Sequence, residues 1–400
     1  MLRRNLAFIS VIFGFGLVAA ACGSDDGGGD ANTGGGGTTG KPDPEGPGVQ
    51  PPGSAGGNTG SGTTATVFAV KKLFLGESDK TGAPDPNGWE NFGYNLDNLM
   101  SSKTGTNHCK LPANTPPSNK VDGKDGIDNS FGKNIMAILK TFVPAPSDEV
   151  NTAILDGDFT IMLKLDNLDS EQNQTGIKSA LYGGASLGDA PKWDGTDMWP
   201  VFPELLNNGD INDPKVTFPT SYVAGGTWVS GSQGTVDLTV GIGGQNISLI
   251  IEKAVITMKV SGTGTSASAT DGVIAGVIRT AQFVGEIEKV AGQLTDGQLC
   301  PGNPTLEGAL VSIRQASDIM ADGTNGNADK ECDAISVGIG FEATAVQLGA
   351  VAPPATGGSD PCVDGGAAGS GGTGGAGGAG GTGGAGGTGG AGGASDAGTD

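Results

Sequence analysis

Two acidic loops carry the densest sets of oxygen donors in the chain. In Asp122-Gly123-Lys124-Asp125-Gly126-Ile127-Asp128-Asn129 the carboxylates recur at every third residue, with glycines that permit tight curvature between them. Hard Ca²⁺ takes about six to eight such oxygens, so Asp122, Asp125, Asp128 and Asn129 are candidate calcium ligands. Lys124 stands at a ligand position of the EF-hand pattern and no Glu closes the loop, so this is not an EF-hand. Asp322-Gly323-Thr324-Asn325-Gly326-Asn327-Ala328-Asp329 is the second loop, with Asp322, Asn325, Asn327 and Asp329 as its donors. Asp, Asn and Gly also build ordinary solvated turns, because they tolerate left-handed backbone and cap their own amides. Aromatic clusters offer a second chemistry. Trp193-Asp194-Gly195-Thr196-Asp197-Met198-Trp199 and Trp89-Glu90-Asn91-Phe92-Gly93-Tyr94 set Trp89, Trp193 and Trp199 beside carboxylates and amides. Flat rings next to hydrogen-bonding groups suit sugar stacking, while large rings in a Gly-rich body also serve as plain packing.

Patterns for nucleophilic catalysis fail on order. Gly184-Ala185-Ser186-Leu187-Gly188 matches G-x-S-x-G, yet that site needs a His downstream, and the only histidine, His108, lies upstream. Gly338-Ile339-Gly340-Phe341-Glu342-Ala343 mimics a dinucleotide fingerprint but falls inside an alternating strand with no following helix. His108 and Cys109 are neighbours, and adjacent side chains on a strand point apart. A single imidazole excludes every site that needs two.

Beyond Cys22, four cysteines remain: Cys109, Cys300, Cys332 and Cys362. An even number in an exported chain reads as two disulfides with three alternative pairings. Cys300 with Cys332 would clamp the last helix to the last strand and leave Cys109 for Cys362. Zinc is disfavoured, since no C-x-x-C spacing occurs and one His is present.

Charge and the N-terminus speak to location. With 43 acidic against 22 basic side chains the formal charge is −21, which repels phosphate backbones and sets nucleic acid aside as a partner. Arg3 and Arg4 precede an apolar run from Leu6 to Ala21, 16 residues long, which ends at Ala19-Ala20-Ala21-Cys22. A membrane-spanning helix needs ~20, so the run reads as an export leader. Residues 1–26 resemble a bacterial lipoprotein lipobox, with Ala19 where that family most often has Leu. The resemblance implies cleavage before Cys22 and acylation of its thiol and amine, giving a chain anchored to membrane by several hydrocarbon tails. Gly23 rather than Asp at the next position implies the outer membrane, facing periplasm or cell surface. Loss of Arg3 and Arg4 with the leader leaves 20 basic side chains and a charge of −23.

Four regions are expected: a leader, 1–21; a disordered Gly/Pro-rich tether, 22–62; a globular body, 63–362; and a disordered Gly-Gly-x tail, 363–400. Gly makes up 76 of 400 residues and concentrates in the two flanks, which cannot bury enough apolar surface to order. Lipobox, Gly-rich lead and Gly-Gly-Thr/Gly-Gly-Ala tail together resemble Gly-rich lipoproteins of unknown function from myxobacteria, a likeness of composition that carries no activity. In the body, alternation at Val67–Leu75, Phe159–Leu165, Val236–Ile242, Ile247–Val260, Val273–Ile278 and Ile335–Ala345 predicts strands with one apolar face. Helical periodicity marks Lys133–Phe142, Asp148–Leu155, Thr280–Leu294 and Thr305–Met320. The expected fold is α+β and β-rich, a curved antiparallel sheet or sandwich with packed helices. The expected function is a lipid-anchored, non-enzymatic structural or ligand-binding module of the cell envelope, a glycan or envelope component being its partner. A secreted polysaccharide hydrolase and a periplasmic lipid carrier are the alternatives.

Overall fold

The computed structural model describes residues 41–232, 234–242, 245–294, 297–354 and 362. Its elements in chain order are β1 (Asn58–Thr59), β2 (Thr66–Phe74), α1 (Met136–Leu139), α2 (Pro146–Asp156), β3 (Thr160–Asp166), β4 (Gln174–Gly184), β5 (Met198–Val201), β6 (Val216–Ala224), β7 (Thr227–Val229), β8 (Gly234–Ile242), β9 (Gln245–Ser261), β10 (Ser268–Arg279), α3 (Thr280–Leu294), α4 (Pro304–Arg314) and β11 (Ala334–Val351). The sheet runs β4-β3-β2-β11-β10-β9-β7-β6, and β6 pairs back onto β4. Every one of these pairings is antiparallel, so the curved sheet closes into an eight-stranded barrel. β1, β5 and β8 are additions to it.

Register slips in β10 and β4 curve the sheet toward closure. β10 slips register against both neighbours between Ala269 and Val273, at Asp271-Gly272, and against β9 again near Gly276. Bulges and glycine kinks of this kind bend a strand and raise its twist. β4 slips twice against β6. Alternation then sorts side chains to the two faces: Phe68, Leu163, Leu181 and Ala345 lie opposite one another on adjacent strands. They share one buried cluster with Phe218, Trp228 and Met258. Val67, Ala69, Met162, Tyr182 and Val346, of opposite parity, belong to a separate cluster with Trp199 and Val201. The interior is filled by side chains, including Trp228, whose indole donates to Ser179 Oγ at 3.1 Å.

All four helical periodicities correspond to helix: Thr280–Leu294 is α3 at both ends, and the other three have shifted ends. The first is a π-turn, Phe131–Ile135, running into α1. α4 has Pro304 at its first turn and Asn303 Oδ1 accepting from Thr305 N, as a capped start requires. It stops at Arg314, short of Met320, because Ile319 pairs with Ala334 beside β11. Phe283, Val284, Ile287 and Val290 of α3 and Leu306, Leu310 and Ile313 of α4 join the same core as the barrel.

The tether expected over 22–62 is corrected from Lys41 onward. Residues 41–62 lie along the body: Glu45 bridges to Leu99, Val49 N donates to Asp125 O, and β1 pairs in parallel with β4. Few of these residues are apolar, so the strap is held by backbone hydrogen bonds and by close approach at glycines. A Cβ at Gly60 would meet Asn167 O at 2.3 Å. The leader, Cys22 and the tail 363–400 lie outside the described residues.

Candidate functional site

A layer of loops covers the outer face of β11, and its wiring explains the Gly-x-Gly of that strand. Asn129 is the hub. Its Nδ2 donates to Gly338 O at 2.8 Å and to Trp89 O and Phe92 O at 3.1 Å, while its Oδ1 accepts from Gly132 N and Gly338 N. A Cβ at Gly338 would stand 2.1 Å from Phe92 O, and one at Gly340 would strike the Phe92 ring. Both glycines are therefore demanded by packing.

Beneath this layer five carboxylates gather around two ammonium groups. Asp128 Oδ2 accepts from Leu96 N, Asp97 Oδ1 from Leu99 N, and Asp122 Oδ2 from Ser101 N. Asp318 accepts from Ser336 N and Ser336 Oγ, and Asp43 from Ser102 N and Oγ. Lys120 Nζ donates to Gly105 O at 2.7 Å. Lys133 Nζ donates to Ser118 O and Val121 O and stands 4.5 Å from the Trp89 ring centroid. Burial disfavours charge on Asp97, Asp122, Asp128 and Asp318 and on both ammonium groups. It pushes Asp97 up to about 6, Asp318 to about 7 and Asp122 to about 9, each also raised by neighbouring carboxylates. Burial raises Asp128 well above the usual range as well, and Asp122 bonds to its carboxyl. It lowers Lys120 and Lys133. Protons shared within the cluster thus supply the balance that two lysines cannot.

At the edge of this cluster sits His108, 4 % exposed. Its Nε2 lies 2.7 Å from Asp318 O, and its Nδ1 lies 2.6 Å from Cys109 O and 3.9 Å from Cys332 Sγ. Burial pushes the imidazole toward its neutral form, against the pull of the two carbonyls. Cys109 is bonded to Cys332, and Cys300 to Cys362. The suggested Cys300–Cys332 clamp is corrected. Lys110 N donates to Lys330 O and Cys332 N to Lys110 O, which lays the Cys109 segment alongside Cys332 with Cα atoms 5.3 Å apart. Cys362 lies instead against Gly292 of α3, close to Cys300.

The calcium candidates separate. Asp122 and Asp128 belong to the buried cluster. Asp125 is exposed at φ 52°, and Asn129 has both ends of its amide engaged in the hub, so these two are not ligands in this arrangement. In the second loop Asp322 caps Thr324 N and Oγ1, and Asn327 caps Asp329 N. Asn325 is half-buried and Asp329 exposed, and the segment is a self-capped turn. Sequence reasoning missed Asp97, Asp318 and Asp43, which lie far along the chain and join only through the fold.

The sugar platform does not assemble. Trp199 is fully buried with its indole donating to Ala185 O at 2.7 Å, and Trp89 is buried under Lys133. Trp193, half-buried, rests on Trp199 with ring centroids 5.5 Å apart. Asp194 and Asp197 cap the backbone of their own turn. Ser186 of the G-x-S-x-G segment is exposed and accepts from Gly188 N.

Of the cavities beside the barrel among the described residues, two bear on ligand binding. One of about 20 Å³ is lined by apolar residues including Leu73, Phe131, Leu238 and Phe283, room for about one water and not for an acyl chain. The other, about 290 Å³, opens at the start of α2 between Lys72, Glu77, Lys140, Ser147 and Asn151. There Glu77 pairs with Lys140 Nζ at 2.6 Å and accepts from Ser147, filling the anion position at the helix start. No helix among the described residues is long and apolar enough to cross a membrane.

Comparison with protein-family models, with curated proteins and with solved structures finds no match to this chain.

Proposed function

We propose that this protein is an exported lipoprotein, anchored to the outer membrane through Cys22, whose barrel is a rigid non-enzymatic module of the cell envelope. The pairing of Cys109 with Cys332 and of Cys300 with Cys362 carries the proposal. Disulfides form and persist in oxidising compartments outside the cytosol. These two use all of the cysteines except Cys22, so Cys22 has no cysteine of its own chain left to join and is free for acylation. A barrel interior filled by Phe68, Leu163, Phe218 and Trp228 suits a scaffold better than a carrier.

Mass spectrometry of the N-terminal peptide from protein recovered from its native membrane tests the reading. The expected mass is that of Cys22 carrying diacylglycerol and an amide-linked acyl chain, and Cys22→Ser protein should keep its leader. A free Cys22 thiol in the native protein overturns the proposal.

A further inference from the structure

We propose that Lys120 Nζ and Asp43 Cγ join in an isopeptide bond that staples the N-terminal strap to the body. Lys41, Pro42, Pro44 and Glu45 are exposed, but Asp43 between them is 5 % exposed. Asn107 grips its main chain, accepting from Asp43 N at 2.8 Å and donating Nδ2 to Asp43 O at 3.2 Å. Asp43 Oδ1 accepts from Ser102 N at 3.1 Å and from Ser102 Oγ at 2.5 Å, while Oδ2 is buried with no partner.

Lys120 is 8 % exposed, and among the described residues its ammonium donates only to Gly105 O, at 2.7 Å. Asp43 Oδ2 seats on the same residue, 1.5 Å from where a Cβ of Gly105 would stand. The absence of a side chain at Gly105 is what lets the carboxyl in. Asp43 is also the carboxylate that acts most strongly on Lys120, ahead of Asp122. The flexible four-carbon stem of the lysine lets Nζ swing from Gly105 O to Cγ.

Left apart, the pair keeps an unpartnered carboxylate oxygen and a singly bonded ammonium out of water, which is costly. An amide carries no charge. Burial lowers Lys120 toward the neutral amine that can attack. It raises Asp97 to about 6, with the Asp43 charge adding to the rise, so Asp97 can accept and return a proton near neutral pH. Attack of Nζ on Cγ moves charge onto Oδ1, where Ser102 N and Oγ already donate as an oxyanion hole would. The N–C bond forms and the C–Oδ2 bond breaks. Of the three ammonium protons one stays on nitrogen, and two leave with Oδ2 as water, carried by Asp97; no oxidant or reductant takes part. A pull arriving from residues before Asp43 then passes through covalent bonds into the body instead of peeling the hydrogen bonds of residues 41–62. The inference does not depend on acylation of Cys22.

Peptide mapping of the denatured full chain tests it. One branched peptide should be recovered, with arms containing Asp43 and Lys120 and a mass one water below the sum of the two. Lys120→Arg and Asp43→Ala proteins, shown by circular dichroism to keep the sheet, should yield the arms apart. In freshly synthesised Asp97→Asn protein the branched fraction should rise more slowly by about a hundredfold, and an unchanged rise overturns the part given to Asp97. Separate Asp43 and Lys120 peptides from the folded wild-type chain overturn the proposal, as does a branch from Lys120 to Asp122 or one that persists in Lys120→Arg.

Discussion

Replacing Asn129 by Asp tests the loop layer with almost no change of shape. The Oδ1 contacts to Gly132 N and Gly338 N survive, but the amide that serves Gly338 O, Trp89 O and Phe92 O becomes an oxygen facing three carbonyl oxygens. Two N–H donors are lost at a site 2 % exposed. Each buried acceptor stripped of its partner costs about 1–3 kcal/mol, so the sum is on the order of 4 kcal/mol. For a body of this size each kcal/mol moves the melting temperature by roughly 2–4 °C, or about 10 °C in all. Urea titration and calorimetry at pH 7.5 should show that loss in Asn129→Asp. Lowering the pH to 5 should return part of it, because a protonated carboxyl regains one donor. Asn327→Asp, in the exposed turn where only Oδ1 is used, should stay within about 0.5 kcal/mol. A loss below about 1 kcal/mol in Asn129→Asp would refute the account of the hub.

Two further expectations follow from the cluster and from the cysteines. Asp97, Asp318 and Asp122 have folded pKa values raised to about 6, 7 and 9, so the native state binds more protons than the unfolded chain. Their stabilising contribution is complete below the unfolded value near 4 and is lost as pH rises through 6 to 9. Melting temperatures should fall from pH 5 to pH 8, and Asp318→Asn should flatten the slope; a rise over that range would contradict the cluster. Peptide mapping of unreduced protein should yield Cys109–Cys332 and Cys300–Cys362 fragments, and Cys109→Ser/Cys332→Ser should cost about 3 kcal/mol. Recovery of a Cys300–Cys332 fragment would contradict the fold near β11.

The strands were legible because period-two alternation is written locally: Ile335, Val337, Ile339 and Phe341 turn one way whatever sheet receives them. The helical segments were legible for the same reason, and the start of α4 by its Pro304-Thr305 signal. That the sheet closes was not. Closure depends on register slips at Gly272 and Gly276 and on β6 returning to β4, and a pairing partner leaves no trace in either strand alone. The role of Gly338 and Gly340 was equally hidden, since the constraint belongs to Phe92 and Asn129 more than 200 residues away.

Composition by itself determined the acidic charge and the even set of body cysteines, because these are sums along one chain. Only the tertiary structure decided which acids are ordinary turn caps and which are buried together. Asp322 and Asp128 look alike in sequence, yet one faces water and the other lies beneath a loop layer beside Asp122 of its own loop and Asp97 and Asp318 from distant stretches of the chain. It likewise set His108 against Cys332, 224 residues away, and bonded Cys332 to Cys109. Burial and proximity across the chain control proton affinity and cysteine pairing, and both exist only once the chain has folded.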